Sequence, residues 1–250
     1  MNNSALKFPP SPEAEEPEIS PNVEMYLKSI VRLYDGEEPV STSAVAQELA
    51  ISPASVSSML KRLDADGYVV HEGRHGVVPT PKGARIGAVI LRRQRLAERL
   101  LVDCLGMSWE VAGNEACRLE HAISPSVEEH LAKFLNHPTT CPHGHPIPHA
   151  DGTLWKHPEA IELIDLPLGG EGIVLELKHD IPELLRFLAE VGLRPGAQVR
   201  SLRRERAAGL LTIALDGREH AISAQLAGDI LVAPAPKRSQ QERAKVRSVK

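Results

Sequence analysis

The chain is organised around the stretch Glu115-Ala116-Cys117-Arg118-Leu119-Glu120-His121, which continues a helical apolar pattern that stops at Ser124-Pro125. On a helix, residues three and four positions apart share a face, so Cys117, Glu120 and His121 point the same way. They offer a sulfur, a carboxylate and an imidazole, which are three ligand types of transition metals. The competing interpretation is a small buried cysteine beside a solvated Glu-His pair. The stretch therefore indicates a candidate metal site.

Composition places the chain among ordinary globular proteins. Its 250 residues are 42% hydrophobic and 25% charged, which suits one or two domains with buried cores. The formal net charge of −4 excludes a uniformly basic surface, so any surface that binds nucleic acid must be local. The three cysteines, Cys104, Cys117 and Cys141, are an odd number without a disulfide spacing, which suits a reducing cytosol.

The sequence predicts no targeting or membrane segment. No charged region leads into an apolar run at the N-terminus, so we predict no secretory signal. The longest candidate for a membrane span, Ile86 to Leu91, ends before Arg92-Arg93 and is far too short to cross a bilayer. We therefore expect a cytoplasmic protein without a membrane partner.

Pairs of Ser or Thr with Pro mark predicted helix starts. The hydroxyl can cap free backbone amides, and proline is tolerated at the first helical position. A helical apolar period follows each of the pairs Ser20-Pro21, Ser52-Pro53, Thr80-Pro81 and Ser124-Pro125. The predicted helices cover residues 21–34, 42–49, 53–66, 81–104 and 125–135. The helix over 81–104 spans about 36 Å, which is long enough to link one domain to another.

The helices over 42–49 and 53–66 are joined by a tight turn and form a helix-turn-helix pattern. Small residues at the start of the second helix allow approach to base edges, and Lys61-Arg62 at its end can contact phosphates. Short strands around the turn Gly73-Arg74-His75-Gly76 then predict a wing with a basic tip. A purely structural three-helix unit with a hairpin is the alternative. The predicted DNA-binding residues are Ser52, Ala54, Ser55, Ser57, Ser58, Lys61, Arg62 and Arg74.

A connector rich in Pro, Gly and His covers residues 137–160. Cys141 and His143 lie two positions apart in this segment, a spacing that could place both on one ion, and plain solvent exposure is the alternative. From about Leu163, alternating patterns and turns predict five short strands and one helix, which indicates a small barrel. Residues 1–19 and 236–250 are predicted to be disordered tails.

Together these features resemble the diphtheria toxin repressor family of iron- and manganese-dependent regulators. The resemblance covers residues 20–235. Its most specific parts are Glu24-Met25-Tyr26-Leu27, Arg95-Leu96-Ala97-Glu98-Arg99-Leu100-Leu101 and the Cys117 stretch. It implies a mainly α protein with a small β domain. The implied order is a winged helix-turn-helix domain at 20–80, a helical metal-binding and dimerisation domain at 81–136, the connector, and an SH3-like (FeoA-type) barrel at 161–235.

The resemblance also implies two metal sites. The activating, or primary, site matches Met25, Cys117, Glu120 and His121. Iron-type repressors build the ancillary site with histidines where Gln94 and Gly113 stand here. Manganese regulators of the family use another set of ligands, which matches Glu98, Cys141, His143 and Asp180. The two-ion variant of the manganese branch has a carboxylate where Lys28 stands.

The resemblance implies a repressor with Fe²⁺ or Mn²⁺ as corepressor and two ions per subunit, and not an enzyme. Sulfur ligands favour Fe²⁺, with Mn²⁺ close behind. An ion that joins Met25 to the Cys117 stretch would orient the winged helices of a homodimer on operator DNA. A winged-helix regulator that senses an organic ligand is one alternative. A metallohydrolase is a weaker one, because the sequence contains no His-Glu-x-x-His motif.

Overall fold

A computed structural model of the chain describes residues 19–73 and 75–235. The chain divides between Lys156 and His157 into two compact units. The predicted tails and Arg74 of the wing lie outside the described residues, except for Ile19, which packs against the core of the first unit. Within the described residues, no helix is long and apolar enough to span a membrane.

The first unit begins with three helices and a hairpin. Helix α1 covers Pro21–Leu33, α2 covers Thr42–Glu48 and α3 covers Pro53–Ala65. Strands β1 (Val69–His71) and β2 (Val77–Pro79) pair antiparallel. Their apolar side chains meet in one buried core, so the predicted helix-turn-helix with its wing is confirmed. We call the segment from α1 to β2 the head.

The helices begin where the pairs with proline predict. The side chains of Ser52, Thr80 and Ser124 each accept a hydrogen bond from the backbone N–H three residues later, at 3.2, 3.2 and 3.3 Å. These bonds satisfy amides that have no partner within the helix. Ser20 makes no side-chain capping bond, so α1 begins with its proline alone. Ser41 caps α2 in the same way as Ser52, although no proline follows it.

Helix α4, Pro81–Arg99, packs along α1. Gly87 allows this close approach, because a Cβ atom there would lie 2.5 Å from the carbonyl oxygen of Leu27. The predicted helix to residue 104 is confirmed in extent, but its last turn, Leu100–Cys104, is a π-helix. Single π-helical turns are rare and occur frequently near functional sites.

Helices α5 (Trp109–Leu119) and α6 (Pro125–Phe134) complete the first unit. The stretch around Cys117 is not one continuous helix, because α5 gives way to a 3-10 turn at Glu120–Ala122. The prediction that Cys117, Glu120 and His121 share a face of one α-helix is therefore corrected. The three side chains lie across the junction of α5 with a turn that winds more tightly.

The second unit is an antiparallel sheet with two helices, α7 (Pro182–Val191) and α8 (Ala224–Gly228). The strands are β3 (Ile161–Glu162), β4 (Glu171–Leu177), β5 (Gln198–Glu205), β6 (Leu210–Leu215), β7 (Arg218–Ser223) and β8 (Ile230–Pro234). Their order across the sheet is β3-β8-β4-β5-β6-β7. Register shifts in β4 and β5 mark bulges, at which a strand bends.

The β half differs from the prediction in its details. The described residues form six strands and two helices in this half, rather than five and one. The sequence does not predict β7, because its residues are mostly exposed and the apolar alternation is weak. The change to strands, predicted from about Leu163, begins with β3 two residues earlier, and Leu163 itself starts a 3-10 turn. Strand β8 begins only at Ile230, because α8 occupies the preceding residues.

Candidate metal centres

Two predicted ligands of the primary site, Cys117 and His121, lie close to one carboxylate oxygen of a third, Glu120. Its Oε1 lies 3.8 Å from the sulfur of Cys117 and 3.3 Å from Nε2 of His121. Glu120 is fully buried, whereas Cys117 and His121 are half-buried. The fold therefore gathers a thiol and an imidazole around a single buried carboxylate.

Helix α1 reaches this cluster with two charged side chains that are absent from the predicted ligand set. The ammonium of Lys28 donates to Oε1 of Glu120 at 2.6 Å and lies 3.5 Å from the sulfur of Cys117. One helical turn earlier, Oε2 of Glu24 lies 2.6 Å from Nδ1 of His121. Since Nδ1 faces Glu24, the other ring nitrogen is left to face Glu120. Residues four positions apart share a helix face, so both contacts come from the same side of α1.

Met25, the fourth predicted ligand of the primary site, lies on α1 between Glu24 and Lys28. It is partly buried and packs against the apolar core of the head. The structure thus places Met25 on the helix that contacts the cluster, close in sequence to Glu24 and Lys28, the two residues that make the contacts.

The chemistry of this cluster fits a cation. Burial raises the pKa of the Glu120 carboxyl, and the charges of Lys28 and His121 oppose that shift. The second oxygen, Oε2, is buried and makes no hydrogen bond within the described part of the chain. A buried oxygen without a partner is costly, and a bound ion would supply one. The ammonium at Oε1 shows that a positive charge already stands at this carboxylate.

Glu98, Cys141 and His143 form a second, tighter cluster. Among the described residues, they are the one group of three His, Cys, Asp or Glu side chains whose ligand atoms all lie within 4.8 Å of one another. Nδ1 of His143 lies 3.9 Å from the sulfur of Cys141 and 3.6 Å from Oε2 of Glu98. All three side chains are buried. A thiol, an imidazole and a carboxylate at this spacing suit a transition-metal ion.

Three arginines of α4 hold the connector over this second cluster. Arg92, Arg95 and Arg99 all donate to backbone carbonyl oxygens of the connector. Arg99 donates two of these hydrogen bonds, to the carbonyl oxygens of Thr140 and Cys141, with donor–acceptor distances of 2.6 and 3.1 Å. The spacing of three and four residues places the three guanidinium groups on one side of the helix. Cys141 and His143 of the connector are both buried, so the alternative of plain solvent exposure is wrong for these two residues.

The cysteine of this cluster is a thiol at neutral pH. Burial, together with the negative charge of Glu98, raises the pKa of Cys141 to about 11, although His143 and Arg95 oppose the shift. Binding of an ion would therefore require the thiol to lose its proton.

Trp109 supports the second cluster, and nothing in the sequence pattern marks it. Nε2 of His143 lies 2.9 Å from the carbonyl oxygen of Trp109. The indole ring also stacks on the imidazole, with 5.5 Å between ring centroids. A metal-ligating histidine commonly uses its second nitrogen in this way, which fixes the ring and its tautomer. Nδ1 of His143 is thus directed at Glu98 and Cys141.

Asp180, the fourth predicted ligand of the ancillary site, belongs to the second unit, just before α7. Gln94 is buried on α4 one turn before Glu98, and its Oε1 makes no hydrogen bond among the described residues. A Cβ atom on Gly113 would lie 3.9 Å from Oε1 of Glu98. The two positions at which iron-type repressors have histidines therefore both border this glutamate.

Apart from Arg74, which lies outside the described residues, the predicted DNA-binding residues lie on α3 or at its N-terminal cap. Ser57 is partly buried, and the exposed members of the set are Ser52, Ala54, Ser55, Ser58, Lys61 and Arg62. The apolar residues of α3 point into the core of the head. The hydroxyl groups of Ser52 and Ser55 lie 2.9 Å apart, so they also stabilise the helix start.

Comparison with known proteins matches three parts of the chain to described domains. Residues 18–77 match the iron dependent repressor N-terminal DNA binding domain, residues 80–149 its metal binding and dimerisation domain, and residues 161–234 the FeoA domain. The iron-dependent repressor IdeR of Mycobacterium tuberculosis is 35% identical over 218 residues, which are 81% of this chain and 92% of IdeR. The chain belongs to the iron-dependent repressor family. The diphtheria toxin repressor of Corynebacterium diphtheriae is 37% identical over 128 residues, 51% of this chain and 57% of that protein.

Solved structures of this repressor family share the architecture. A manganese-dependent transcriptional repressor in complex with manganese has a TM-score of 0.77 at 31% identity, covering 85% of this chain and 100% of the other. ScaR with bound Zn²⁺ has a TM-score of 0.71 at 32% identity, covering 84% and 98%. The family consists of DNA-binding transcriptional repressors and not of enzymes. The comparisons thus confirm the predicted class and support neither the metallohydrolase nor the sensor of an organic ligand.

Proposed function

We propose that this repressor uses Fe²⁺ or Mn²⁺ as corepressor and that the primary site links metal binding to the position of the head. The contact between α1 and the buried carboxylate of Glu120 carries this proposal. Lys28 and Glu24 of α1 approach Glu120 and His121 to 2.6 Å each. Because α1 belongs to the head, the site joins the DNA-binding domain to the helices that follow it.

Met25, Cys117, Glu120 and His121 would hold the activating ion. A divalent ion bound there supplies positive charge and directional coordination bonds. The sulfur atoms of Met25 and Cys117 favour Fe²⁺ over Mn²⁺. Cells often set occupancy by availability instead of affinity, so Mn²⁺ is the second candidate. Relatives of both kinds support the choice, since one is described as iron-dependent and one as manganese-dependent.

Glu98, Cys141 and His143 would hold a second ion, with Asp180 as a fourth ligand. The mutual distances and the burial of Glu98, Cys141 and His143 support this assignment. We therefore expect two ions per subunit.

Double-stranded operator DNA and a second copy of the chain are the proposed partners. The exposed side of α3 fits a recognition helix in the major groove, with the wing beside it. For the homodimer, support comes from the match of residues 80–149 to a dimerisation domain. The same region exposes large apolar side chains, which often mark interfaces, at Leu105, Val111, Leu119, Val127 and Phe134. We expect the protein to act in the cytoplasm, where it meets operator DNA, without a membrane partner.

The mechanism follows from the position of the ligands. Two recognition helices of a dimer must reach two major grooves that are separated by whole helical turns. Met25 lies on the head, and Cys117, Glu120 and His121 lie beyond it, so coordination by all four fixes the angle of each head. Coupling between two ligands is reciprocal, so DNA binding must raise metal affinity by the same factor as metal raises DNA affinity.

Titration of metal against DNA binding tests the proposal. The full-length protein, stripped of metal, is incubated with a palindromic operator that it selects from a random DNA pool, and Fe²⁺ (without oxygen) or Mn²⁺ is added. We expect dimers to bind DNA only with metal and to dissociate when a chelator is added. Equal operator affinity with chelator and with Fe²⁺ would refute the proposed function. Metal content of protein purified without added metal then identifies the ion that the cell supplies.

A further inference from the structure

Lys28 is a buried cation in the middle of the primary site. The residue is only 6% exposed, and its ammonium donates to the fully buried Glu120. Lysine is almost never buried without a partner, because removal of its charge from water is costly. The fold therefore holds this ammonium in place by its contact with the carboxylate.

The atoms that Lys28 contacts are atoms that the proposed function assigns to the ion. The ammonium lies 2.6 Å from Oε1 of Glu120 and 3.5 Å from the sulfur of Cys117. Nε2 of His121 lies 3.3 Å from the same oxygen. The ammonium thus lies among the proposed metal ligands. There it neutralises the buried carboxylate of Glu120, which would otherwise carry an unpaired charge.

We propose that Lys28 is a resident cation that competes with the metal ion for Glu120 and Cys117, so that the ion binds only as the ammonium leaves. This inference rests on the proposed metal-dependent function and deepens it, because it names the residue that sets the metal concentration at which the repressor responds. The energy needed to separate Lys28 from Glu120 is subtracted from the metal affinity of the site.

Charge and geometry favour displacement over coexistence. Coordination places an ion about 2 Å from a carboxylate oxygen, and an ammonium on the same oxygen would bring two positive charges within a few ångströms. Repulsion between them is weakly screened in a buried site. Oε2 of Glu120 offers another position, but Cys117 and His121 both lie close to Oε1.

Lys28 also acts on the metal-free protein. Its ion pair with Glu120 and the contact of Glu24 with His121 together keep α1 against the 3-10 turn. The lysine stem is long and flexible, so its ammonium can leave the carboxylate for water while α1 stays helical. Displacement would therefore replace one link between head and dimerisation domain with another of defined geometry.

The variants Lys28→Leu and Lys28→Arg test this inference. Leucine keeps the helix propensity and much of the apolar volume but removes the charge without adding a metal ligand, whereas arginine retains a cation. Both changes are made in full-length protein that also carries Cys141→Ala and His143→Ala, so that only the primary site binds metal. Affinity for Fe²⁺ and Mn²⁺ is measured by competition with a chromophoric chelator, and circular dichroism checks that each variant is folded.

We expect Lys28→Leu to bind metal at least about tenfold more tightly than the parent, and Lys28→Arg to stay within about threefold of it. Thermal melts give a second readout. The metal-free Lys28→Leu variant should melt below the parent, because Glu120 has lost its partner, and the difference should vanish with saturating metal. A merely structural ion pair would lower both melting temperatures equally.

The possible results separate this inference from the proposed function. If Lys28→Leu binds metal no more tightly than the parent, the ammonium does not compete and the inference is wrong, while the proposed function stands. If the parent protein with an intact primary site binds no metal, the proposed function fails and the inference fails with it. Should Lys28→Leu be unfolded, Lys28→Gln replaces it in the same assay, with the same expected gain in affinity.

Discussion

The two candidate metal clusters differ in how completely the protein assembles them. At the ancillary cluster, Glu98, Cys141 and His143 are buried and mutually within 4.8 Å. Arginines of α4 fix its connector, and Trp109 fixes its imidazole. At the primary cluster, side chains from two domains meet around Glu120, and an ammonium stands among them. One cluster is preassembled, and the other lies across a junction and is already occupied by a charge of the protein.

This difference separates binding from sensing. A preassembled site binds with little reorganisation, so its affinity is high for the number of its ligands. A ligand can shift a conformational equilibrium only by its differential affinity for the two states. A site whose ligands keep almost the same places in both states therefore shifts that equilibrium only slightly. The primary cluster can meet the requirement of a sensor, because the side chains that we propose as its ligands come from the head and from the dimerisation domain.

The largest expected effect follows from removing a ligand at the junction. We expect Cys117→Ala or His121→Ala to weaken metal-activated operator binding by more than about 100-fold, since each removes a side chain that we propose to coordinate the ion directly. The dimer should stay folded, because both side chains are half-buried and lie outside the main core clusters. Operator binding is measured by fluorescence anisotropy, and the oligomeric state by analytical ultracentrifugation.

Gln94→Ala is the matched control, because Gln94 occupies a position at which iron-type repressors have a ligand. It borders the ancillary cluster through Glu98, so we expect less than about a threefold change in metal-activated operator binding. If Gln94→Ala proved as damaging as Cys117→Ala, the assignment of the two clusters to activating and ancillary roles would be wrong.

The sequence predicts this molecule best where local chemistry decides the structure. The hydroxyl–proline pairs predict the starts of α1, α3, α4 and α6, because capping involves residues within one helical turn. Prediction from the sequence is less complete where contacts between residues that are far apart in the chain determine the structure. Arg92, Arg95 and Arg99 interrupt an apolar pattern in the sequence, and only the fold shows that they bind the connector.

The ligand sets show the same division. The three donors at Cys117, Glu120 and His121 can be selected from their spacing and from the family resemblance. The position of Lys28 within the site cannot, because it depends on the approach of α1 to the 3-10 turn. The strand β7 is likewise determined by its pairing with β6, since its own residues show a weak pattern.

A second prediction uses the thiol of the preassembled cluster. The pKa of Cys141 is raised to about 11, so the thiol is protonated at every pH below 9 and must release its proton when it binds an ion. Ancillary-site affinity should therefore rise by about tenfold per pH unit between pH 7 and 9 and fall correspondingly towards pH 6. Calorimetry on the Cys117→Ala variant, in buffers of different ionisation enthalpy, isolates this site and counts the released protons. Release of no proton at pH 8 would contradict the thiolate as a ligand.

The smallest expected effect comes from removing the preassembled cluster itself. The double variant Cys141→Ala, His143→Ala should bind one fewer ion per subunit, since it removes two of the three buried donors. It should still bind operator DNA with metal, because the heads are positioned at the primary site. We expect half-maximal DNA binding to require about threefold more metal, because we expect only weak coupling between the ancillary site and DNA binding.

Arg99→Met is the informative partner variant, because it releases the connector at Thr140 and Cys141 while all three proposed ligands remain. If preassembly matters, this variant should lower ancillary affinity with the ion count unchanged. An unchanged ion count in the double variant would instead show that Cys141 and His143 bind no metal, and the comparison between the two clusters would fail.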